Sequence, residues 1–421
     1  GRGRRRAPPG GPGGRPVARR VRRPALTRPP PGRGGRAAGA GARLRTVVIV
    51  DVLAAAALIG WLYLAFGHGA FWRTGPGLPD RDDPPEWPAV TAVIPARDEA
   101  AVLPETLPTL VAQDYPGAFR IVVVDDGSSD GTAETAARLT DEVVSARDRP
   151  EGWAGKVWAM SEGVRAAGEP DFYLFTDADI AYGPGTVKRL VREAVNARRD
   201  LVSQMATLSV RTRWEKVIVP AFVYFFAKLY PFRRVTRDGA RTAAAAGGCM
   251  LVRRAALDGA GGIAAIRGAL IDDVAMGRLI KRAGGRCRLD LSRDVVSRRP
   301  YPRLADLWMM IARSAYHQLR YSPALLAGTV LGLLLLYAVP PAATLTGALT
   351  GRPAALAAGG AAWAIMTLTY VPMLRFYGLS PLRALGLPAV ALMYAAMTVD
   401  SARRHRAGKG GTWKGRTAVV Q

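Results

Sequence analysis

Three carboxylate clusters stand where this sequence turns from apolar to polar. Asp125 and Asp126 open the run DDGSSDGT (125–132), whose glycines and serines permit a tight turn that can approach a nucleotide closely. Either carboxylate can accept hydrogen bonds from a nucleobase or ribose, although a polar turn with a helix cap from Asp130 or Thr132 explains the run equally well. Asp177 and Asp179 alternate as the chain leaves an apolar stretch. Such a pair can hold a hard divalent cation while a diphosphate fills other positions, or form a solvated turn. A sugar nucleotide suits the first arrangement, because its leaving diphosphate needs charge neutralisation. Asp272 and Asp273 lie in ALIDDVAMGRLIK (269–281) beside apolar residues. Adjacent carboxylates there favour a raised pKa on one member, fitting it as a general base toward an acceptor hydroxyl. Helix capping by Asp272 accounts for the pair as well. Lys156, in GWAGK, can aim a cation at phosphate oxygens or be a solvated loop lysine. Gly247, Gly248 and Cys249 allow close backbone approach, by an acceptor or by packing. With three histidines no Ser/His/Asp triad is discernible, and there is no Cys/His zinc pattern or Walker A sequence.

The elements that position these residues read as an α/β domain over about 86–320. Runs 90–95 (VTAVIP), 121–125 (IVVVD) and 172–176 (FYLFT) are short, β-branched or aromatic, and each ends in polar residues. Segments 100–113 and 132–140 between them carry helix-compatible patterns. Strands alternating with helices imply a largely parallel sheet, with ligands bound beyond the carboxyl ends of the strands.

Outside that domain the apolar residues are bunched, so the averages of 49% hydrophobic and 22% charged conceal the organisation. Residues 47–66 are almost continuously apolar and long enough to cross a bilayer core of roughly 30 Å. Phe71, Trp72 and Arg73 read as an interfacial anchor after this helix (46–72), against a cleaved signal peptide. Three more blocks, 324–345, 354–374 and 382–399, read as about three membrane helices over 324–400, the last interrupted by Pro388. Segment 218–230 is too short to span comfortably and reads as a core helix or an interfacial one, its aromatic content favouring the surface. The net charge of +26, from 59 basic against 33 acidic residues, points to anionic headgroups rather than nucleic acid once membrane spans are present. Residues 1–45 are Arg, Gly, Pro and Ala, a composition expected to stay disordered, either as a dispensable tail from an over-extended start or as a polybasic arm on lipid. Residues 401–421 form a basic tail. Two cysteines, Cys249 and Cys287, imply no disulfide framework.

Taken in order, PARDE (95–99), DDGSSDGT, GWAGK, DAD and IDD resemble the motif series of family 2 glycosyltransferases with the GT-A fold. Segment 297–323 and the trailing helices resemble the hopene-associated branch, and ceramide glucosyltransferases and cellulose synthases share the core. The resemblance implies a GT-A nucleotide-diphospho-sugar transferase domain, a mostly parallel sheet with flanking helices, plus transmembrane helices. It implies an inverting displacement from a nucleoside-diphosphate sugar, usually a UDP sugar, with Mg2+ or Mn2+. By carry-over, Asp125 and Asp126 bind the nucleoside beside Pro95, Arg97 and Glu99. Lys156 lies near uracil or diphosphate, Asp177 and Asp179 hold donor and metal, and Asp273 is the base. On the acceptor side stand Gly248, Asp272, Arg320 and Tyr321.

Three positions depart from the family pattern. Asp98 replaces a frequent Asn, Asp272 a common Glu, and His317 to Tyr321 (HQLRY) stands where processive enzymes carry Q-x-x-R-W. The last change argues for a single transfer to a lipid, a hopanoid being one candidate, over a processive polysaccharide synthase. The complete set of acidic motifs argues against a silent sugar-nucleotide-binding scaffold. The expected setting is a bacterial inner membrane with the domain on its cytoplasmic face, where nucleotide sugars are made. Basic residues at both termini conflict with this, since the positive-inside rule would put both in the cytoplasm and the domain, one helix later, outside.

Overall fold

The computed structural model describes residues 34–140, 142–408, 412–413 and 416–417. The basic segment 1–33 lies outside the described residues, and 34–45 belongs to the first helix, α1 (Gly34–Leu62). Eight strands follow in chain order: β1 (Val90–Ala96), β2 (Phe119–Asp125), β3 (Val143–Ser145), β4 (Phe172–Phe175), β5 (Ile180–Tyr182), β6 (Leu201–Thr207), β7 (Met250–Arg253) and β8 (Cys287–Ser297). They form one sheet in the order β3-β2-β1-β4-β7-β6-β8-β5. The β3-β2-β1-β4 block and the β6/β8 pair are parallel, while β4/β7, β7/β6 and β8/β5 are antiparallel. The sheet is therefore parallel in the half that bears the motifs and mixed in the other.

Burial explains why the three runs read from sequence are strands. β1 is buried along its whole length, and Val122, Val123, Val124, Phe172 and Phe175 are at most 1% exposed. Strands covered on both faces read as continuous apolar runs. The crossover helices are α2 (Leu103–Val111), α3 (Thr132–Ala137), α4 (Gly155–Ala167) and α5 (Thr186–Asn196). α4 lies directly on β1 and β2, and a Cβ at Gly163 would come within 2.3 Å of Val93 Cγ1. After β6 come α6 (Glu215–Leu229) and the short α7 (Phe232–Thr236). α8 (Arg254–Gly259) follows β7, and α9 (Asp272–Arg282) leads into β8.

Beyond the sheet lie α10 (Leu304–Ala312), α11 (Ala315–Gln318), α12 (Pro323–Leu333), α13 (Val339–Thr350), α14 (Pro353–Phe376) and α15 (Leu387–Arg406). Four helical stretches are long and apolar enough to cross a membrane: Val48–Gly67, Pro323–Thr350, Pro353–Phe376 and Pro381–Arg406. α6 contains the segment 218–230 up to Leu229 and is packed into these helices. Tyr224 meets Thr369 (2.9 Å between hydroxyls) and Tyr370 (5.0 Å between rings), and Tyr394 donates to Ile218 O at 3.2 Å. The basic tail at 401–421 begins inside α15, and its described remainder is residues 407–408 and the two-residue strands at 412–413 and 416–417. Cys249 and Cys287 are free and buried.

Candidate active site

Because β2, β1 and β4 are neighbours and parallel, their carboxyl ends bring PARDE, DDGSSDGT and DAD side by side. The first two loops are stitched together. Asp98 N donates to Ser128 Oγ (3.0 Å), its Oδ1 accepts from Ser129 N (2.9 Å), and Glu99 N donates to Thr132 Oγ1 (2.8 Å). Asp98 has φ 51°, in the left-handed region that Asp and Asn enter most readily among non-glycine residues. That explains why Asp can stand where the family often has Asn. Arg97 donates to Asp126 O and lies 3.8 Å from its carboxylate. Asp125 and Asp126 are 7% and 2% exposed. Asp125 Oδ2 accepts from Ser128 N at 3.3 Å, while its buried Oδ1 has no partner. A buried, unpartnered carboxylate oxygen is costly unless a ligand supplies a donor.

Lys156 enters at the N-terminus of α4. Its Nζ lies 2.6 Å from Asp177 Oδ1 and 2.9 Å from Asp272 Oδ2. Burial alone would lower the lysine's pKa, but Asp177 and Asp272 raise it above the ordinary value. Lys156 is thus a fixed cation joining the β4 end to the start of α9. Asp177 is held in its charged form: burial opposes ionisation, and Lys156, Arg299 and Arg313 outweigh it.

Asp179 is tied to the end of β8, the strand next to the sheet edge. Its Oδ2 accepts from Ser297 Oγ at 2.6 Å and lies 3.4 Å from Arg299 Nε, while Arg299 Nη2 reaches Glu99 Oε1 at 2.5 Å. Arg299 therefore links PARDE to DAD. Sequence reasoning missed it, and its only signal was the basic run SRRP directly after β8.

Asp273 caps α9 from within. Its Oδ1 accepts from Val274 N (2.7 Å) and its Oδ2 from Gly247 N (2.9 Å). Burial, then the neighbouring Asp272, push its carboxyl from 3.8 up to about 7, against the pull of Lys156. A Cβ on Gly247 would stand 3.2 Å from Lys156 Nζ and 3.6 Å from both Asp177 Oδ2 and Asp273 Oδ2. Gly247 is therefore where the three charged groups close in on the backbone, leaving no room for a larger side chain without a shift. Gly248, expected on the acceptor side, uses its carbonyl to accept from Thr176 and Tyr182, and its missing Cβ faces Ile180. A small crevice lined by Pro95, Lys156, Thr176, Asp177, Gly247 and Asp272 opens here.

Arg320 and Tyr321 are not brought to this cluster by any recorded contact among the described residues. Both hold positive φ (52° and 54°), and Tyr321 stacks on His405 at 4.2 Å. It is Gln318 that reaches the α9 side, through the hydroxyl of Tyr230, which also accepts from Arg278 at 3.3 Å.

Among the described residues no group of three or more His, Cys, Asp or Glu is arranged to hold a metal. The ion contacts run through Oδ1 of Asp177 and Oδ2 of Asp179, so each carboxylate has a second oxygen for a hard cation. That donor set fits a divalent ion whose shell is completed by diphosphate and water.

Comparison with known proteins bears on the domain and its fold. The sequence model of Glycosyl transferase family 2 matches residues 91–260, ending before Asp272 and Asp273. An N-acetylglucosaminyltransferase of Rhizobium leguminosarum bv. viciae is 34% identical over 110 residues, 25% of each chain. A 4,4'-diaponeurosporenoate glycosyltransferase of Staphylococcus aureus is 35% identical over 95 residues, 22% of this chain and 24% of its own. The matched stretch thus spans about a quarter of the length of these relatives. A mannosyltransferase of Pyrobaculum calidifontis, solved in complex with GDP-Man and Mn2+, superposes with a TM-score of 0.53 at 21% identity, covering 86% of this chain and 99% of that one. The strand order, the motifs at adjacent strand ends and the family match converge on one assignment: over residues 91–260 this chain carries a glycosyl transferase family 2 domain.

Proposed function

We propose that this chain moves one sugar from a nucleoside-diphosphate sugar to a hydroxyl of a membrane lipid, with inversion, and that Asp273 is the general base. The observation behind this reading is Asp273 itself, a half-buried carboxyl raised to about 7, whose Oδ2 accepts from Gly247 N at 2.9 Å beside Asp177 and Lys156. A base with a pKa near the working pH combines a useful ionised fraction with real proton affinity. The acceptor hydroxyl gives its proton to Asp273 as its oxygen forms the bond to the sugar carbon, and the nucleoside diphosphate leaves from the opposite face.

On the donor side, the unpartnered Asp125 Oδ1 awaits a hydrogen-bond donor such as a ribose hydroxyl or a base N–H. Lys156 is within reach of the departing phosphates. Mg2+ or Mn2+, held by Asp177 and Asp179, would supply charge neutralisation for the leaving diphosphate. The GDP-Man and Mn2+ bound by the Pyrobaculum protein support the donor class and the metal. The apolar helices support a lipid acceptor, because Gln318, just ahead of α12, contacts Tyr230 on the α9 side. A hopanoid is one lipid of that class, and a bacterial inner membrane with a cytoplasmic domain is the setting this reading requires.

The test is transfer to a lipid extract alongside donor affinity. Asp273→Asn is expected to keep donor binding and lose turnover by roughly 10²–10⁴-fold. Asp272→Asn should lose less, since it removes a charge from Lys156 rather than the proton acceptor. Native turnover in Asp273→Asn would overturn the assignment of the base. Chelation should weaken donor binding in the wild type, and equal affinity with and without chelator would remove the metal from the scheme.

A further inference from the structure

We infer that α15 does not cross the membrane but lies along the domain-side surface of the bilayer, its outer face bedded in lipid, so that the chain crosses three times. This rests on contacts and does not depend on the transfer reading.

α15 has 20 residues, about 30 Å at the helical rise, and is apolar enough to span. A crossing helix carries one of its ends away from the domain it leaves. The chain enters α15 from the domain side, and α15 meets α6 at its middle and α10 and α11 at its end. It begins beyond the turn 381–386 that follows α14, and the end of α14 abuts the sheet, where Arg293 of β8 lies 4.5 Å over the Phe376 ring. Midway, Tyr394 donates to Ile218 O and packs on Phe225 at 4.7 Å, both residues of α6. At its end Asp400 accepts from Trp308 Nε1 (2.9 Å), Ser401 Oγ accepts from Tyr316 N (3.0 Å), and His405 stacks on Tyr321. Trp308 and Tyr316 belong to α10 and α11, which lie between the sheet and the start of α12. The far end of the bundle is elsewhere, where Arg352 at the start of α14 pairs with Asp51 of α1.

Exposure follows the same plan. Of the four candidate spans, the stretch containing α15 is the most buried, at 44% against 11% for Pro323–Thr350. What it leaves exposed is one stripe at heptad spacing: Ala389, Leu392, Ala396 and Val399, then Arg403 and Arg406. An apolar stripe that ends in two arginines on the same face matches acyl chains along most of its length and anionic headgroups at its end.

Two measurements on the full chain test this. Single cysteines at Glu105, Thr350 and Ala407, all exposed, are labelled with a membrane-impermeant maleimide before and after cell disruption. Glu105→Cys and Ala407→Cys should behave alike and Thr350→Cys oppositely. Ala407→Cys labelling together with Thr350→Cys would overturn the proposal. Depth is then read by lipid-borne quenchers acting on fluorophores at Ala389→Cys and Val399→Cys. A helix lying flat gives equal depths, whereas a crossing helix would separate them by up to ~15 Å. No quenching at either position would mean that protein covers the stripe, and would equally overturn the proposal.

Discussion

At the scale of single residues, Asp273 carries a pH signature. Its carboxyl rises from 3.8 to about 7 through burial and the charge of Asp272. The base form therefore accumulates as pH climbs through about 7. Turnover per bound donor should rise roughly tenfold per unit below that value and level off above it, and Asp273→Asn should lack this limb. A pH–rate profile that is flat between pH 5 and 8 would contradict the role. The shift also has a sign for stability. The folded chain holds this proton more tightly than the unfolded one, so the contribution of Asp273 to stability falls as pH rises from about 4 toward 7. The acidic residues were legible in sequence because Asp pairs at the ends of apolar runs have few structural uses. Arg299 and Gln318 were not, since each gains its meaning from a partner far away in the chain: Glu99 and Tyr230 respectively.

At the scale of elements, the placement of Asp272 and Asp273 depends on how closely α9 lies on the segment before β7. A Cβ at Gly277 would come within 2.5 Å of Ala244 C and 2.8 Å of Ala244 Cα, so only glycine lets the helix settle there. Gly277→Ala should push α9 outward, lowering stability by roughly 1–3 kcal/mol. It should also reduce transfer beyond what the loss of folded protein explains, because Asp273, the proposed base, moves with the helix. Thermal unfolding combined with transfer rate per folded molecule checks this, and unchanged values of both would refute the close packing. The strands β1, β2 and β4 were readable because burial on both faces makes them uniformly apolar. β6 was not: Ser203 and Gln204 interrupt it, yet they are 0% and 5% exposed. Ser203 Oγ donates to Cys249 O and accepts from Ala246 N, so a loop distant in sequence satisfies the polar group inside a strand. β8 hid for another reason, since its Arg288 and Asp290 pair with each other at 2.5 Å.

At the scale of the whole molecule, the four stretches long and apolar enough to cross a membrane are expected to hold the chain there without the basic segment at its start. A chain lacking residues 1–45 should remain in the membrane fraction after carbonate extraction, and its release would assign the anchoring to the removed segment. The two ends of the bundle are joined late in the life of the chain. Asp51 in the first helix pairs with Arg352, 301 residues further on, and Trp61 donates to Leu336 O across 275 residues. At roughly 5–20 residues per second, synthesis of that interval takes on the order of 15–60 s. Throughout that time the first helix holds a carboxylate and an indole N–H whose partners do not yet exist. The nascent protein thus has an intrinsic clock, and its first helix lacks these two partners until the third apolar helix arrives. Nascent chains arrested before Arg352 should leave the first helix extractable or accessible to protease, whereas those arrested after α14 should hold it fast.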